Sequence, residues 1–490
     1  MALYLGLDVG TQGVKAVVYS ADSRKIVARG AHPLSLLPTD VPGRAEQRPA
    51  DWIDGVRAAA RQALAGVADA SQVKAIGVSG QQHGLVALGE GGCVLRPSKL
   101  WCDTESAPEA EELSRKLGTT LVASFTATKV LWLARHEPEV YASARHVLLP
   151  GSYVNYWLTG RMAMEAGDAS GTGVFDTAAR RWDFEAADAV DPRLRGMLPP
   201  LLGPEEAIGT LRPEVAAELG LPEGVVVAPG SGDNAMSALG SGATADGQLV
   251  VSLGTSGTLF GVSASPIIDK SGTIAPFCDA TGAWLPLVCT LNCTRVPEEA
   301  REAFGLSQDD ATALAGAEAP GCHGVNYLPY LAGARTPNWP HASGAVLGLR
   351  PGLLRPGLLY RAAMEGATFS LRAGLARMQD LGMTARELFL VGGGSKNALW
   401  QQIVADAFQM PVRLPLEPES AALGAALQAG AVHSGGRVAE FVAAHHPPVS
   451  EQVIQPNAAH KAAYDEAYAR HCQLGAQLFA GGSGGGGVQA

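Results

Sequence analysis

The stretch GSGDNAMSALGSG, residues 230–242, sets one carboxylate, Asp233, among glycines and small apolar residues, with Asn234 beside it. A second acid, Asp8, stands directly before a glycine turn in LGLDVGTQGVK. Glycine turns open backbone N–H groups to an anion because no Cβ blocks the approach, and threonine hydroxyls add donors. A carboxylate beside such a turn repels phosphate unless a cation lies between them, and Mg²⁺ bridges groups of this kind while keeping several waters. The alternative is that Asp8 only caps its turn. The Gly-Thr-x-Gly pattern of Gly10, Thr11 and Gly13 returns at Gly254, Thr255 and Gly257, with uncharged Ser252 in the place of Asp8. One turn is therefore expected to hold metal and phosphate, the other phosphate alone.

A third glycine turn, VGGGSKN (391–397), opens a helix, and helix N-termini accept phosphates. A plain strand-to-helix turn would look the same. The spacing is not that of a dinucleotide site, because its sixth position is Asn397. SGQQHG (79–84) sets Gln81, Gln82 and His83 at the end of an apolar run. Ligands of open α/β sheets gather at strand ends, and amides with an imidazole suit a neutral polyol. LWCD (100–103) adds Trp101 and Asp103, an aromatic face beside a carboxylate, as on a sugar shelf. Trp101 reads equally well as core, and His83 as a structural histidine.

Strands and turns must hold these groups. LGLDVGTQGVKAVVYS and QLVVSLGTSGTLFGVS both read as strand, turn, strand, half a chain apart, which suggests two related domains facing one another. VKAIGVSG (73–80) reads as a buried strand after a helix over 51–67. LFLVGGG (388–394) is a strand entering its turn, and helices follow over 397–409 and 420–430. The boundary between the halves falls near 243–248.

The 490 residues are 47% hydrophobic and 17% charged, ample for large cores. A net charge of −10 argues against a nucleic-acid partner, which needs a basic face. No apolar run approaches the roughly 20 residues of a membrane span. The seven cysteines form no C-x-x-C pair, so reduced thiols in a cytoplasm are expected.

Taken together, LGLDVGTQGVK, GVSGQQHG, TKVLWLARHEP (128–138), EAGDASGTGVFD (165–176), GSGDNA, VSLGTSG, PYLAGARTP (329–337) and LVGGGSKNALW carry a resemblance. The chain resembles the FGGY carbohydrate kinases over nearly its whole length. The resemblance implies an α/β fold of two actin-like, RNase H-like ATPase domains around a central cleft. Residues 1–245 would hold the sugar and the catalytic base, 246–478 mainly ATP, and 479–490 would be a flexible Gly-rich tail. It makes Asp233 the catalytic base, and Asp8, through water, the organiser of Mg²⁺, with Asp233 near the same ion. Gln82 and His83 would contact the sugar, with Trp101, Asp103 and Asn234 around it. Thr11, Gln12 and Lys15 fall in the first phosphate motif, Gly254 and Thr255 in the second, and Gly393, Gly394 and Asn397 in the adenosine motif.

The implied reaction is ATP-dependent phosphorylation of a ketopentose. Within the family the Gly-Asp-Asn and Gln-Gln-His-Gly steps point to D-xylulose, ahead of ribulose, L-xylulose or erythritol. A sugar hydroxyl has a pKa far above 7, so a carboxylate must take its proton as the bond to phosphorus forms. A non-kinase actin-like ATPase would use the same turns but needs no polyol pocket. The family also allows a homodimer. The resemblance breaks at Trp101-Cys102-Asp103-Thr104-Glu105, where members often have Trp-Asn-Asp-Gly-Arg, and at Ala334, where Gly-Glu-Arg-Thr-Pro is familiar.

Overall fold

Leu3, Leu5, Leu7 and Val9 alternate with Tyr4, Gly6 and Asp8, so the first strand, β1 (Leu3–Val9), packs against something on both faces. The computed structural model describes residues 2–480 and shows what that is. β1 pairs antiparallel with β2 (Gly13–Ser20), and β2 with β3 (Lys25–Pro33). Helix α1 (Pro49–Ala65) follows, starting on its proline and stopping before Gly66. β4 (Val73–Gly80) then joins β1 in parallel. The short strand β5 (Ser231–Gly232) also pairs with β4 and runs straight into helix α2 (Asp233–Ser241).

The second half repeats the plan. β6 (Gln248–Leu253) pairs antiparallel with β7 (Gly257–Gly261). β8 (Ala275–Cys278) and β9 (Trp284–Thr290) extend that edge. After the long helix α3 (Pro356–Asp380), β10 (Glu387–Val391) joins β6 in parallel. Helices α4 (Ala398–Phe408) and α5 (Ser420–Ser434) follow. The order β3-β2-β1-β4 in one sheet matches β9-β7-β6-β10 in the other. This is the two-domain, actin-like α/β architecture expected. Of the expected Gly-rich tail, Phe479 ends the helix Lys461–Phe479, and residues 481–490 lie outside the described residues.

Each sheet has a core of its own on its outer face. In one, Leu5, Leu7 and Val78 pack with Trp52 of α1; in the other, Leu249, Val251 and Leu253 of β6 pack with Met364 of α3. Between the sheets lies a third, shared core. Tyr4, Val17 and Tyr19 face it from the first sheet, Val250, Phe260 and Phe389 from the second. Met236 and Leu239 of α2 and Ala422, Ala425 and Ala426 of α5 fill it. Where α2 and α5 cross, a Cβ built on Gly240 would overlap Ser420 O, and one on Gly424 would overlap Met236 O. The helices touch backbone to backbone. Overfilling a tight contact costs about 1–3 kcal/mol or more, so Gly240→Val is expected to lower the midpoint of thermal unfolding. Calorimetry that finds the midpoint unchanged would show that the helices can slide apart.

Candidate active site

Strand register brings the acids together. Asp8 on β1 and Ser231 on β5 both lie opposite Ser79 of β4, so three strands set them in one row. Ser79 Oγ donates to Asp8 Oδ1 at 2.9 Å. Two residues past Ser231, Asp233 occupies the first position of α2, where the helix dipole favours a negative charge. The backbone N–H and the side-chain amide of Asn234 both donate to Asp233 Oδ1, at 2.8 and 2.9 Å. Burial pushes the Asp233 carboxyl up to about 7, and the neighbouring charge of Asp8 adds to the rise. Burial likewise pushes Asp8 up to about 6, opposed by Ser79 and Lys15. A buried carboxyl raised by a neighbouring negative charge favours a proton or a cation beside it.

Gln82 and His83 follow the end of β4. Gln82 Nε2 donates to Gly167 O at 3.0 Å. His83 sits at φ 68°, in the left-handed region that non-glycine residues seldom adopt. Its Nδ1 lies 2.7 Å from Gly171 O. A carbonyl only accepts, so Nδ1 carries the proton and Nε2 keeps its lone pair. Burial pushes the imidazolium pKa down to about 3, so the ring is neutral across the working range. Phe125 and Phe277 pack against it, with centroids at 5.1 and 5.8 Å. A neutral acceptor in apolar walls suits a hydroxyl. Loss of one partner in a buried site costs about 1–3 kcal/mol, so His83→Ala is expected to weaken sugar use about 5- to 150-fold in kcat/KM. An unchanged sugar KM and kcat would make this a structural histidine.

The first glycine turn is braced by a chain of hydrogen bonds. Thr11 Oγ1 donates to Gln81 Oε1 at 2.9 Å and accepts from Trp101 Nε1 at 3.0 Å. Gln47 accepts from Gln81 and from the buried Trp52, and donates to Thr11 O. Trp101 is therefore fixed at the turn and 37% exposed, not buried as core. Gln12 in the same turn is exposed. In the second turn the carbonyls of Gly254 and Thr255 accept from the backbone of Thr294 and Cys293. Gly393 is exposed, with open space where a Cβ would be.

Four of the expected residues are engaged in contacts of their own. Asp103 does not face the cleft: it is fully buried, and its oxygens accept from Lys99 Nζ and from the backbone N–H groups of Ala45 and Glu105. Glu105, in the place of the familiar arginine, pairs with Arg44 and Lys99 in the same buried network. Asn397 is the N-cap of α4: its Oδ1 accepts from Trp400 N–H and its Nδ2 donates to Thr312, so the side chain is already satisfied. Gly394 is buried against Leu253 and Trp400 and serves packing. Lys15 does not stand free at the turn, because its ammonium reaches Glu419, just before α5, at 2.7 Å.

Ser79 and Gln47 brace the site without a role expected from the sequence, and Gln81, expected among the polyol-facing amides, bonds to Thr11 and Gln47. Their partners lie on other strands, and only the amide pair in Gln81-Gln82 hinted at a network. The seven cysteines are all free. Among the described residues no helix is long and apolar enough to cross a membrane.

Two actin-like domains, glycine turns and two buried carboxyl groups near the amide of Gln82 and the neutral imidazole of His83 are the features of a carbohydrate kinase. The chain belongs to the FGGY family of carbohydrate kinases: the family's N-terminal domain matches residues 3–240 and its C-terminal domain residues 249–432. It is 37% identical to the xylulose kinase of Haemophilus influenzae over 97% of this chain and 100% of the relative. It is 41% identical to that of Streptomyces rubiginosus over 88% of each. Among solved structures it is similar to a xylulose kinase of Brucella ovis, with a TM-score of 0.91 and 36% identity over 97% of this chain and 99% of the other. A gluconate kinase of Lactobacillus acidophilus has a TM-score of 0.90 at 25% identity, covering 97% and 98%. Overall shape alone therefore does not select the sugar.

Proposed function

We propose that this kinase transfers the γ-phosphoryl group of ATP to D-xylulose, giving D-xylulose 5-phosphate and ADP, with Asp233 as the general base. The observation that carries this mechanism is Asp233 at the start of α2, two residues past the row of Asp8, Ser79 and Ser231 and next to Gly232, which packs on Gln82, with its carboxyl raised to about 7. A base works best when its pKa lies near the operating pH. Asp233 takes the proton of the sugar hydroxyl as that oxygen bonds to phosphorus and the bond to the ADP oxygen breaks. Asn234, on Oδ1, fixes the direction of the carboxylate. His83 Nε2 accepts from a neighbouring hydroxyl and orients the sugar.

Asp8 and Asp233 offer oxygen donors alone, and the charge of Asp8 raises the Asp233 carboxyl, a set that fits Mg²⁺. When bound, the ion would neutralise charge on the phosphates. We place the sugar on residues 1–245, which carry Gln82, His83 and Asp233, and ATP mainly on 246–478, which carry the turns at Gly254–Thr255 and Gly393. Seven free thiols suit a reducing cytoplasm.

A kinase screen across pentuloses, polyols and gluconate, comparing kcat/KM, tests the substrate. D-Xylulose should lead. A rival ahead by about tenfold, or ~1.4 kcal/mol of transition-state binding, would overturn the xylulose assignment and leave the kinase standing.

A further inference from the structure

EAGDASGTGVFD belongs to the family pattern, yet none of its residues takes part in the chemistry above. In the structure, residues 165–171 hold both Gln82 and His83. Gly167 O accepts from Gln82 Nε2 at 3.0 Å, and Gly171 O from His83 Nδ1 at 2.7 Å. Glu165 Oε2 accepts from Gly167 N–H at 2.8 Å and from Ser231 Oγ at 2.6 Å. A single carboxylate oxygen thus ties the segment that holds Gln82 and His83 to β5, the strand that delivers Asp233. On its other side Ser170 Oγ accepts from Cys278 N–H of β8 at 3.0 Å. The fit is close: a Cβ on Gly171 would stand 2.7 Å from His83 Nδ1.

We propose that Glu165 is a positioning residue that sets the separation between the base Asp233 and the sugar-binding pair Gln82 and His83. Glu165 is 1% exposed, and its Oε1 has no hydrogen-bond partner among the described residues. A buried oxygen without a partner costs stability, so folding alone gives little reason for a carboxylate here. What the carboxylate supplies is an oxygen that accepts from two donors on two different segments. A small displacement of base from hydroxyl is expensive in a phosphoryl transfer that depends on alignment.

The proposal rests on the sugar-kinase reading. It is tested with Glu165→Ala, Glu165→Gln and Ser231→Ala, measuring kcat, the KM of each substrate, D-xylulose binding by calorimetry, and thermal unfolding. Glu165→Ala and Ser231→Ala are each expected to lower kcat/KM for D-xylulose about 10-fold or more, with the KM of ATP changed less than about 2-fold. Glu165→Gln keeps an oxygen able to accept both bonds and is expected to recover to within about 3-fold of the parent. Equal kinetics in the folded alanine variants, with only a lower unfolding midpoint, would overturn the proposal. Should Glu165→Ala fail to fold, Ser231→Ala decides alone, since it removes one hydroxyl. A parent enzyme that ignores D-xylulose but phosphorylates another sugar would fault the substrate reading instead, and the same comparison would then be made on that sugar.

Discussion

Asp233→Asn is expected to bind ATP and D-xylulose as the parent does, yet to turn over about 10²–10⁴-fold more slowly, the loss typical of removing a general base. The amide keeps the shape of the carboxylate but cannot take a proton. Asp233→Ala is expected to fall in the same range. Neither substrate grip depends chiefly on this group: His83 and Gln82 are held by carbonyls of residues 171 and 167, and the glycine turns by their own strands. The parent's kcat/KM should fall as the pH drops below about 7, because the carboxyl is raised to that value and works only when deprotonated. The variants should lose that acid limb. Steady-state kinetics with calorimetric binding check the result. More than about a tenth of the parent kcat in both variants, with binding intact, would leave Asp233 as a helix-start residue only.

Asp8→Ala is expected to cut kcat by about 10²–10³-fold, the scale of losing one electrostatic stabiliser of the transition state, and to raise the Mg²⁺ concentration needed for half-maximal rate. Folding should survive. Burial already pushes the Asp8 carboxyl up to about 6, so its charge destabilises the folded state at neutral pH, and removing it relieves that cost. The unfolding midpoint should hold or rise. A variant that melts early but keeps its rate and metal requirement would assign Asp8 to capping its turn.

Much of the fold that frames this site is legible in the sequence. The two Gly-Thr-x-Gly turns marked the start of each sheet because a tight turn between β-rich runs leaves few alternatives. The strand at 73–80 stood out as a short apolar run ending in polar groups, and the structure places it over those residues. What the sequence does not show is a side chain's partner when that partner is remote. Asp103 looked like a sugar ligand because Trp101 stands beside it, but Lys99 and the backbone of Ala45 claim it. Asn397 sat in a phosphate-like turn, and only the helix behind it shows a cap. Lys15 stands beside its turn in sequence, while its partner Glu419 lies in the other half of the chain. Glu165 gave one faint signal, a carboxylate in a run of small residues. Its meaning depends on Ser231, which no local pattern connects to it.

The shared core between the sheets bears on what a domain is in this chain. Helix α5 is encoded in the second half, yet its alanines cover the inner face of the first sheet: Cβ atoms built on Gly6 and Gly77 would overlap the carbonyls of Ala422 and Ala425. Helix α2, encoded in the first half, enters the same layer as Val250, Phe260 and Phe389 of the second sheet. A chain cut near residue 245 would give two fragments, each missing a wall that the other supplies. The strands of the first sheet all precede residue 245, yet its inner face is covered by a helix that ends at residue 434.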